Sequence, residues 1–222
     1  SLMLKKIFFA AALLLASELI AKPVVIASIA PVEYLAKAVG GDKIEVQSLA
    51  KGDVHSYEPK PNDMKAVAKA RIFIAAGLEF EEAWIPRFKA SAKNLVVVQS
   101  DAKIAKLKEE RGEQAEHDEK HEAHADPHVW LNPMLAITMA RNISDALIDM
   151  DKANKDFYLK NFQKLMNDLL AFDESAKNEL AGLKNRKFVV YHPAWGYFAE
   201  YYDLEKISIE RNGKEPKIDF FS

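Results

Sequence analysis

The sequence predicts an α/β protein built from mainly parallel sheets with helices on their faces. Short apolar runs alternate with helix-like segments from Pro23 onward, an order typical of parallel strands joined by helices. A helical stripe of about thirty residues follows, and beyond Gly182 a strand-like run at 188–191 begins a second α/β unit. The pattern therefore predicts two α/β units joined by a long helix.

Four strands and three helices are predicted before residue 101. A continuous apolar run predicts a buried strand at 24–29, and further strands are predicted at 44–49, 72–76 and 95–98. Pro31 and Pro61 mark the starts of two helices, because proline fits the first helical turn, and Gly40-Gly41 ends the first of them. A third helix is predicted over 80–90. In such sheets ligands bind in the loops beyond the carboxyl ends of the strands, so those loops are where we expect a site.

Residues 101–126 break this alternation of strands and helices. The stretch is polar, highly charged and without periodicity, which predicts a mobile loop. After Pro133 the alternation gives way to an amphipathic helix. Its apolar positions are Leu135, Met139, Ile143 and Leu147.

A longer helix is predicted from apolar residues that recur at steps of three and four. They are Tyr158, Phe162, Leu165, Leu169, Phe172, Ala176, Leu180 and Leu183. About thirty helical residues reach roughly 45 Å, long enough to pass from one unit to the other. The same stripe spans about four heptads, so a coiled-coil dimer is an alternative. We expect a first lobe at 22–150, a connecting helix at 151–183 and the start of a second lobe at 184–222.

Composition and charge narrow the class of protein. The formal net charge is −2 over 222 residues, which argues against a nucleic-acid partner. The chain contains no cysteine. This absence argues against a cysteine-based zinc finger, a disulfide scaffold and a lipid-modified cysteine.

The first residues have the features of an export signal. Lys5 and Lys6 precede an apolar stretch at 7–16, and Ala21 offers a small residue for cleavage. A membrane anchor is the alternative, but the apolar stretch is short for crossing a bilayer. We expect residues 1–21 to be removed and the mature protein to be a periplasmic monomer.

Three histidines lie far apart in the chain, each in a stiff, turn-forming context. His55 is in Asp-Val-His-Ser-Tyr-Glu-Pro, His128 in Asp-Pro-His-Val-Trp-Leu-Asn-Pro, and His192 in Val-Val-Tyr-His-Pro-Ala-Trp. Imidazole nitrogen suits Zn²⁺ and its neighbours, whereas Mg²⁺ and Ca²⁺ prefer oxygen. Three converging imidazoles would therefore form a transition-metal site. The other histidines lie in the acidic tract between the first two: His117, His121 and His124.

These residues give the chain a resemblance to the metal-binding solute-binding proteins of bacterial ABC importers. It looks most like the zinc-uptake, ZnuA-type members of the group that also contains manganese-binding lipoprotein adhesins. The matching motifs are His-x-Tyr-Glu-Pro at 55–59, Asp-Pro-His-x-Trp-Leu-Asn-Pro at 126–133, and a strand followed by His-x-x-aromatic-Gly-Tyr-Phe at 188–198. The resemblance runs from about 22 to 217. It implies two α/β lobes joined by a long rigid helix, with the metal in the cleft between them.

The resemblance also implies roles for individual residues. His55 and His128 would be metal ligands from the first lobe, and His192 would be a ligand from the second. Histidine at 192 favours zinc, because manganese-preferring relatives are expected to carry a carboxylate there. Glu58 is interpreted as an acceptor that orients a ligand imidazole through a hydrogen bond, and Asp126 either as a second such acceptor or as a turn residue. The loop histidines would form an auxiliary, weaker metal-collecting segment: His117, His121 and His124.

The function implied is capture of Zn²⁺ in the periplasm and its delivery to the membrane permease of an ABC zinc importer. No reaction would be catalysed, and no small organic substrate is expected. One alternative is a binding protein or adhesin for Mn²⁺ or another divalent metal. Another is a three-histidine zinc hydrolase, although the sequence has no His-Glu-x-x-His motif and no nucleophile elbow.

Two further expectations concern the second lobe. The family's second lobe has several more strands and helices than 184–222 can supply, so we expect this lobe to be shortened in the chain. Trp195, Tyr197 and Phe198 are interpreted as packing groups that shield the cleft.

Overall fold

The structure, a computed structural model, describes residues 21–52, 54, 57–108 and 125–209. Its larger sheet has four parallel strands: β1 (Val24–Ile29), β2 (Glu45–Ala50), β3 (Ile72–Ala75) and β4 (Val96–Gln99). Their order in the sheet is β2-β1-β3-β4. Val25 of β1 pairs with Val46 on one side and with Ile72 on the other, so β1 lies inside the sheet.

Helices cover both faces of this sheet, because the strand side chains alternate between two apolar clusters. Ile29 and Val25 belong to the cluster that packs beneath α1 (Ala30–Gly40) and α4 (Pro133–Met150). Ile26 belongs to the opposite cluster. That cluster receives side chains from α2 (Pro61–Val67) and α3 (Glu79–Ser91). The first unit is therefore a three-layer α/β/α structure.

A long helix, α5 (Lys155–Ala181), connects this unit to the rest of the chain. Its 27 residues extend over about 40 Å at 1.5 Å per residue. Tyr158, Phe162 and Leu165 are buried in the first unit's cluster, where α5 packs against α1 and α4. The apolar face that a coiled-coil dimer would use is thus occupied by the chain itself along the first half of α5.

Along its second half α5 departs from the predicted apolar stripe. Phe172, which the stripe places on the buried face, is 53% exposed, and the neighbouring Asp173 is buried instead at 7% exposure. Asp173 accepts hydrogen bonds from Lys177 Nζ at 2.8 Å and from the hydroxyls of Tyr202 at 3.1 Å and Tyr201 at 3.3 Å. These donors satisfy a carboxylate at a position where the spacing predicted an apolar residue.

The hydrogen bonds to Asp173 also decide its protonation. Burial raises the pKa of this carboxyl, but the hydrogen bonds from Lys177, Tyr202 and Tyr201 and the charge of Lys177 outweigh burial. The pKa of Asp173 therefore lies below its usual value of about 3.8. Since both tyrosines come from the second unit, this carboxylate ties that unit to the connecting helix.

The second unit consists of β5 (Lys187–Val190), α6 (Gly196–Tyr201) and β6 (Glu205–Ser208). β5 and β6 are parallel neighbours, with Phe188 opposite Lys206. Val189 and Tyr191 are more than half exposed. Within the described residues the second sheet has two strands. Residues 210–222 lie outside this range.

Two sequence expectations fall wholly or largely outside the described residues. The export signal covers 1–21, of which only Ala21 is described. The acidic loop is described at 101–108 and 125–126 alone. Among the helices of the described ranges, none combines the length and the apolar character that crossing a bilayer requires.

Candidate metal centre

His128 stands at the start of a tightly capped segment. A single 3₁₀ turn, Val129–Leu131, follows it and leads directly into α4. The side chain of Asn132 caps α4, accepting from Met134 N at 2.9 Å and Leu135 N at 3.4 Å. Proline at the next position fits the first helical turn. The Trp-Leu-Asn-Pro part of the motif thus fixes the helix start that holds His128 in place.

Asp126 fixes the orientation of the His128 ring. Its Oδ1 accepts from the backbone N of His128 at 2.9 Å and lies 2.7 Å from the ring Nδ1. Both residues are buried, at 7% and 8% exposure. Because a carboxylate can only accept, the neutral ring that this contact favours has its proton on Nδ1 and its lone pair on Nε2, the atom that a metal would bind. This geometry is the one expected of a carboxylate that orients a ligand imidazole.

His192 follows β5 and faces His128 across the boundary between the two units. The ring centroids of the two histidines are 5.5 Å apart, with an interplanar angle of 72°. Two imidazoles bound to one tetrahedral zinc ion, with Zn–N bonds of about 2 Å, have ring centroids roughly 5 Å apart. The observed spacing therefore suits two ligands of one metal ion. Trp130 packs edge-on against His128, with ring centroids 5.3 Å apart.

The other residues expected at the site are described only in part. His55 lies outside the described residues, in the segment that leaves the carboxyl end of β2. Glu58 is exposed, and its role as an acceptor for His55 stays a prediction. Tyr57 donates to Asp63 Oδ2 at 2.9 Å and so fixes the start of α2. The three loop histidines also lie outside the described residues: His117, His121 and His124.

Within the described ranges, no three or more histidine, cysteine or acidic side chains lie close enough together to hold a metal ion. His128 and His192 are the two predicted ligands that the structure places, and it brings them together. The assignment of all three histidines as ligands stays a prediction.

The ends of the acidic loop lie next to the Asp126–His128 segment. Asp126 N donates to Leu107 O at 2.8 Å, and Lys108 and Ala125 form an isolated antiparallel bridge. The chain therefore leaves for the acidic loop and returns from it at adjacent positions. This loop base, defined as residues 107–108 and 125–126, is directly continuous with His128.

Tyr197 was interpreted as a packing group, and its structural role is larger than that. The side chain is buried, at 4% exposure. Its hydroxyl donates to the carbonyl of Asp126 at 2.6 Å and accepts from the backbone N of Leu107 at 2.9 Å. The sequence carries no signal for these contacts, because both partners are backbone groups far along the chain.

A cavity of about 440 Å³ lies elsewhere, at the carboxyl ends of β3 and β4, and includes Glu81 and Asp101 in its lining. Glu81 accepts from the backbone N atoms of Ala76, Gly77 and Leu78 at 2.8–3.0 Å, and burial nevertheless raises its pKa. Asp101 pairs with Lys106 at 2.5 Å. These two carboxylates are engaged by the protein itself, and no histidine of the described ranges lines the cavity, so the histidine pair remains the candidate metal centre.

Comparison with known proteins agrees with this fold. A family model described as "Zinc-uptake complex component A periplasmic" matches residues 25–219. The matched region runs from β1 through the second unit. The chain belongs to this zinc-uptake component A family.

Individual relatives point the same way. A Treponema pallidum protein named for metal binding is 35% identical over 194 residues, which cover 83% of this chain and 61% of the relative. The high-affinity zinc uptake system protein ZnuA of Bacillus subtilis is 30% identical over 194 residues, covering 83% of this chain and 60% of that protein. The chain thus spans about three fifths of the length of these relatives.

Solved structures confirm the fold class. A crystal structure of ZnuA superposes with a TM-score of 0.79 at 34% identity, covering 90% of this chain and 74% of that one. A ZnuA deletion mutant with zinc bound superposes with the same TM-score at 33% identity and the same two coverages. The predicted α/β architecture, with parallel sheets, flanking helices and a long helix, is therefore confirmed.

Proposed function

We propose that this chain captures Zn²⁺ between its two lobes and delivers it to the membrane permease of an ABC-type zinc importer. The observation that carries the proposal is the facing pair of His128 and His192, with Asp126 hydrogen-bonded to the first ring. The pair joins a residue before α4 to a residue after β5. A metal held there would contact both lobes at once.

The proposed ligand set is His55, His128 and His192. Neutral imidazoles suit zinc, and a carboxylate that accepts the remaining ring N–H raises the basicity of its ligand. Asp126 has this position toward His128. We propose the corresponding role for Glu58 toward His55, and an auxiliary metal-collecting role for the loop histidines: His117, His121 and His124.

The relatives support zinc as the metal. The Bacillus subtilis relative is named as a zinc uptake protein, and the Streptococcus pneumoniae relative AdcA as a zinc-binding lipoprotein. A ZnuA deletion mutant has been crystallised with zinc bound. The family is described as a periplasmic component of a zinc-uptake complex. We propose that this chain acts there as a monomer that binds and releases the ion without catalysing a reaction.

A chelator-competition Zn²⁺ titration of the metal-free chain tests the proposal, with elemental analysis fixing the stoichiometry. We expect one tight equivalent in the wild-type chain. His55→Ala, His128→Ala and His192→Ala should each weaken it by more than the roughly 10- to 100-fold that follows loss of a hydrogen-bond partner of a ligand.

The matched control replaces the three loop histidines together by alanine. This variant should keep the tight equivalent, because the auxiliary segment is not part of the proposed ligand set. Full Zn²⁺ affinity in His128→Ala, or loss of tight binding in the loop variant alone, would overturn the assignment.

A further inference from the structure

Two backbone segments of the first unit meet at one hydroxyl group of the second unit. The Tyr197 hydroxyl donates to the Asp126 carbonyl at 2.6 Å and accepts from the Leu107 amide at 2.9 Å. Asp126 is two residues before His128, and Tyr197 is five residues after His192. The phenol therefore links the chain segment of one candidate ligand to that of the other.

We propose that Tyr197 is a positioning residue for the metal site, whose hydroxyl sets the placement of His128 relative to His192 and closes the base of the acidic loop. The inference rests on the proposed function, since it takes the two histidines as zinc ligands. It adds a residue outside the proposed ligand set, whose hydroxyl acts through two backbone groups.

The hydroxyl is suited to this role because it donates and accepts at once. Burial raises the pKa of Tyr197 to about 12, so the phenol keeps its proton at neutral pH and remains a donor. Both of its partners are backbone groups, the Asp126 carbonyl and the Leu107 amide. Removal of the oxygen would leave a carbonyl and an amide in a mostly buried place without this partner, which favours a shift of the segment.

The residue before Tyr197 brings the two units close together. A Cβ added at Gly196 would lie 3.1 Å from Oδ2 of Asp126, a distance shorter than nine in ten Cβ contacts in proteins. Glycine at this position lets the start of α6 lie directly against the carboxylate that orients His128. Gly196 and Tyr197 together hold α6 against the Asp126–His128 segment by one close approach and one hydrogen bond, and a second hydrogen bond joins Tyr197 to Leu107.

The loop base depends on the same hydroxyl. Asp126 N donates to Leu107 O, while Asp126 O and Leu107 N both contact Tyr197. The two ends of the acidic segment are thus joined to each other and to the second lobe.

Tyr197→Phe tests the proposal, because it removes the oxygen and keeps the packed ring. Tyr202→Phe is the matched control. Tyr202 has similar burial, at 5% against 4% exposure, and its hydroxyl also joins the two units, through Asp173 on α5. It has no contact with the Asp126–His128 segment among its hydrogen bonds.

Three measurements are made on both variants and on the wild-type full chain. Hydrogen–deuterium exchange of the metal-free chain reports on the Leu107 and Asp126 amides. Chelator competition gives the Zn²⁺ affinity. The d–d absorption bands of the Co²⁺-loaded chain report ligand geometry, which a general loss of stability would not change.

For Tyr197→Phe we expect faster exchange at both amides and a changed Co²⁺ spectrum. We also expect Zn²⁺ binding to weaken by about 10-fold, the lower end of the effect of losing a ligand's own hydrogen-bond partner. Tyr202→Phe should leave all three at wild-type values. Unchanged Zn²⁺ affinity in Tyr197→Phe, or equal weakening in Tyr202→Phe, would overturn the positioning role. A wild-type chain with no tight Zn²⁺ equivalent would instead overturn the proposed function, and faster exchange at the two amides would still report the structural junction.

Discussion

The ring Nδ1 of His128 lies 2.7 Å from Oδ1 of Asp126, and the same oxygen accepts from the His128 backbone N at 2.9 Å. One carboxylate oxygen thus fixes both the backbone and the ring of a candidate ligand that is only 8% exposed. The two contacts leave Nε2 as the ring atom that can approach a metal.

The first prediction follows from this pair. The Asp126 carboxylate favours the proton on Nδ1 and raises the basicity of Nε2. Asp126→Asn removes this negative charge and both of its effects. We expect Zn²⁺ affinity to fall by about 10- to 100-fold, as for other partners of histidine ligands. Chelator competition at neutral pH measures the change.

Asp151→Asn is the control for Asp126→Asn. Asp151 also accepts two hydrogen bonds, from Tyr158 and Asn154, but it lies at the junction of α4 and α5. Its replacement should affect stability and leave Zn²⁺ affinity at the wild-type value. Equal effects of the two substitutions on affinity would contradict the orienting role of Asp126.

The second prediction concerns the close approach at Gly196. In Gly196→Ala the new methyl group would meet Oδ2 of Asp126 at 3.1 Å and displace either the carboxylate or α6. We expect a several-fold loss of Zn²⁺ affinity and a destabilisation of about 1–3 kcal/mol, the usual cost of overpacking. Gly182→Ala is the control, since nothing lies within 4 Å of its added Cβ. Wild-type affinity in Gly196→Ala would show that α6 can move without disturbing Asp126.

The third prediction is a pH dependence at Asp173. The pKa of this carboxyl is lower in the folded chain than its usual value of about 3.8, so the ionised form stabilises the fold above about pH 4. That stabilisation is lost as the pH falls through the lowered pKa. Asp173→Asn should therefore lower the free energy of unfolding by about 1–3 kcal/mol at pH 7, and by less at pH 3.

Urea unfolding at the two pH values measures this difference. Asp168→Asn is the control, because Asp168 pairs with Lys164 four residues away on the same helix but is 59% exposed. An exposed pair of this kind contributes at most about 1 kcal/mol. A destabilisation by Asp173→Asn that did not change between pH 7 and pH 3 would contradict the ionised state assigned to the folded chain.

The fourth prediction concerns the second unit, in which β5, α6 and β6 form a sheet of two strands within the described residues. A two-stranded sheet has little stability of its own. Zn²⁺ bound between His128 and His192 would stabilise this unit against local opening, by up to about 4 kcal/mol at a thousandfold excess over Kd. Hydrogen exchange should therefore slow more in β5 and β6 on adding Zn²⁺ than in β1. Equal slowing in all three strands would show that the ion acts on global stability alone.

Elements governed by local sequence were predicted well. The strand at 24–29 agrees with β1 because every residue there is apolar or small and the run is buried on both faces. The connecting helix expected at 151–183 is present as Lys155–Ala181, since the 3.6-residue period is a property of the segment itself. Pro61 was correctly placed at the start of α2 for a similarly local reason.

Features that depend on distant partners were not predicted. On α5 Asp173 is buried and Phe172 is exposed, the reverse of what the apolar spacing predicted. Burial of Asp173 requires the hydroxyls of Tyr201 and Tyr202, which belong to the other unit. The role of Tyr197 requires backbone groups 71 and 90 residues away. A pattern of residue types cannot reveal a hydrogen bond to a carbonyl, because every residue has one.

The histidine pair lies between these two cases. The motifs around His128 and His192 marked both residues as candidate ligands, and the structure brings their rings together. Their convergence was expected from the resemblance to a known family and not from spacing. The role of His55 and the identity of any further ligand stay predictions.

The length of α5 makes the metal centre sensitive to angle. The helix extends over about 40 Å, so a tilt of about 3° at its first turn would move its last turn by roughly 2 Å. A displacement of that size equals a whole Zn–N bond. The connecting helix alone therefore cannot fix the spacing of the two imidazoles. In the proposed site, the short contacts of Tyr197 and Gly196 restrict the relative movement of the two units.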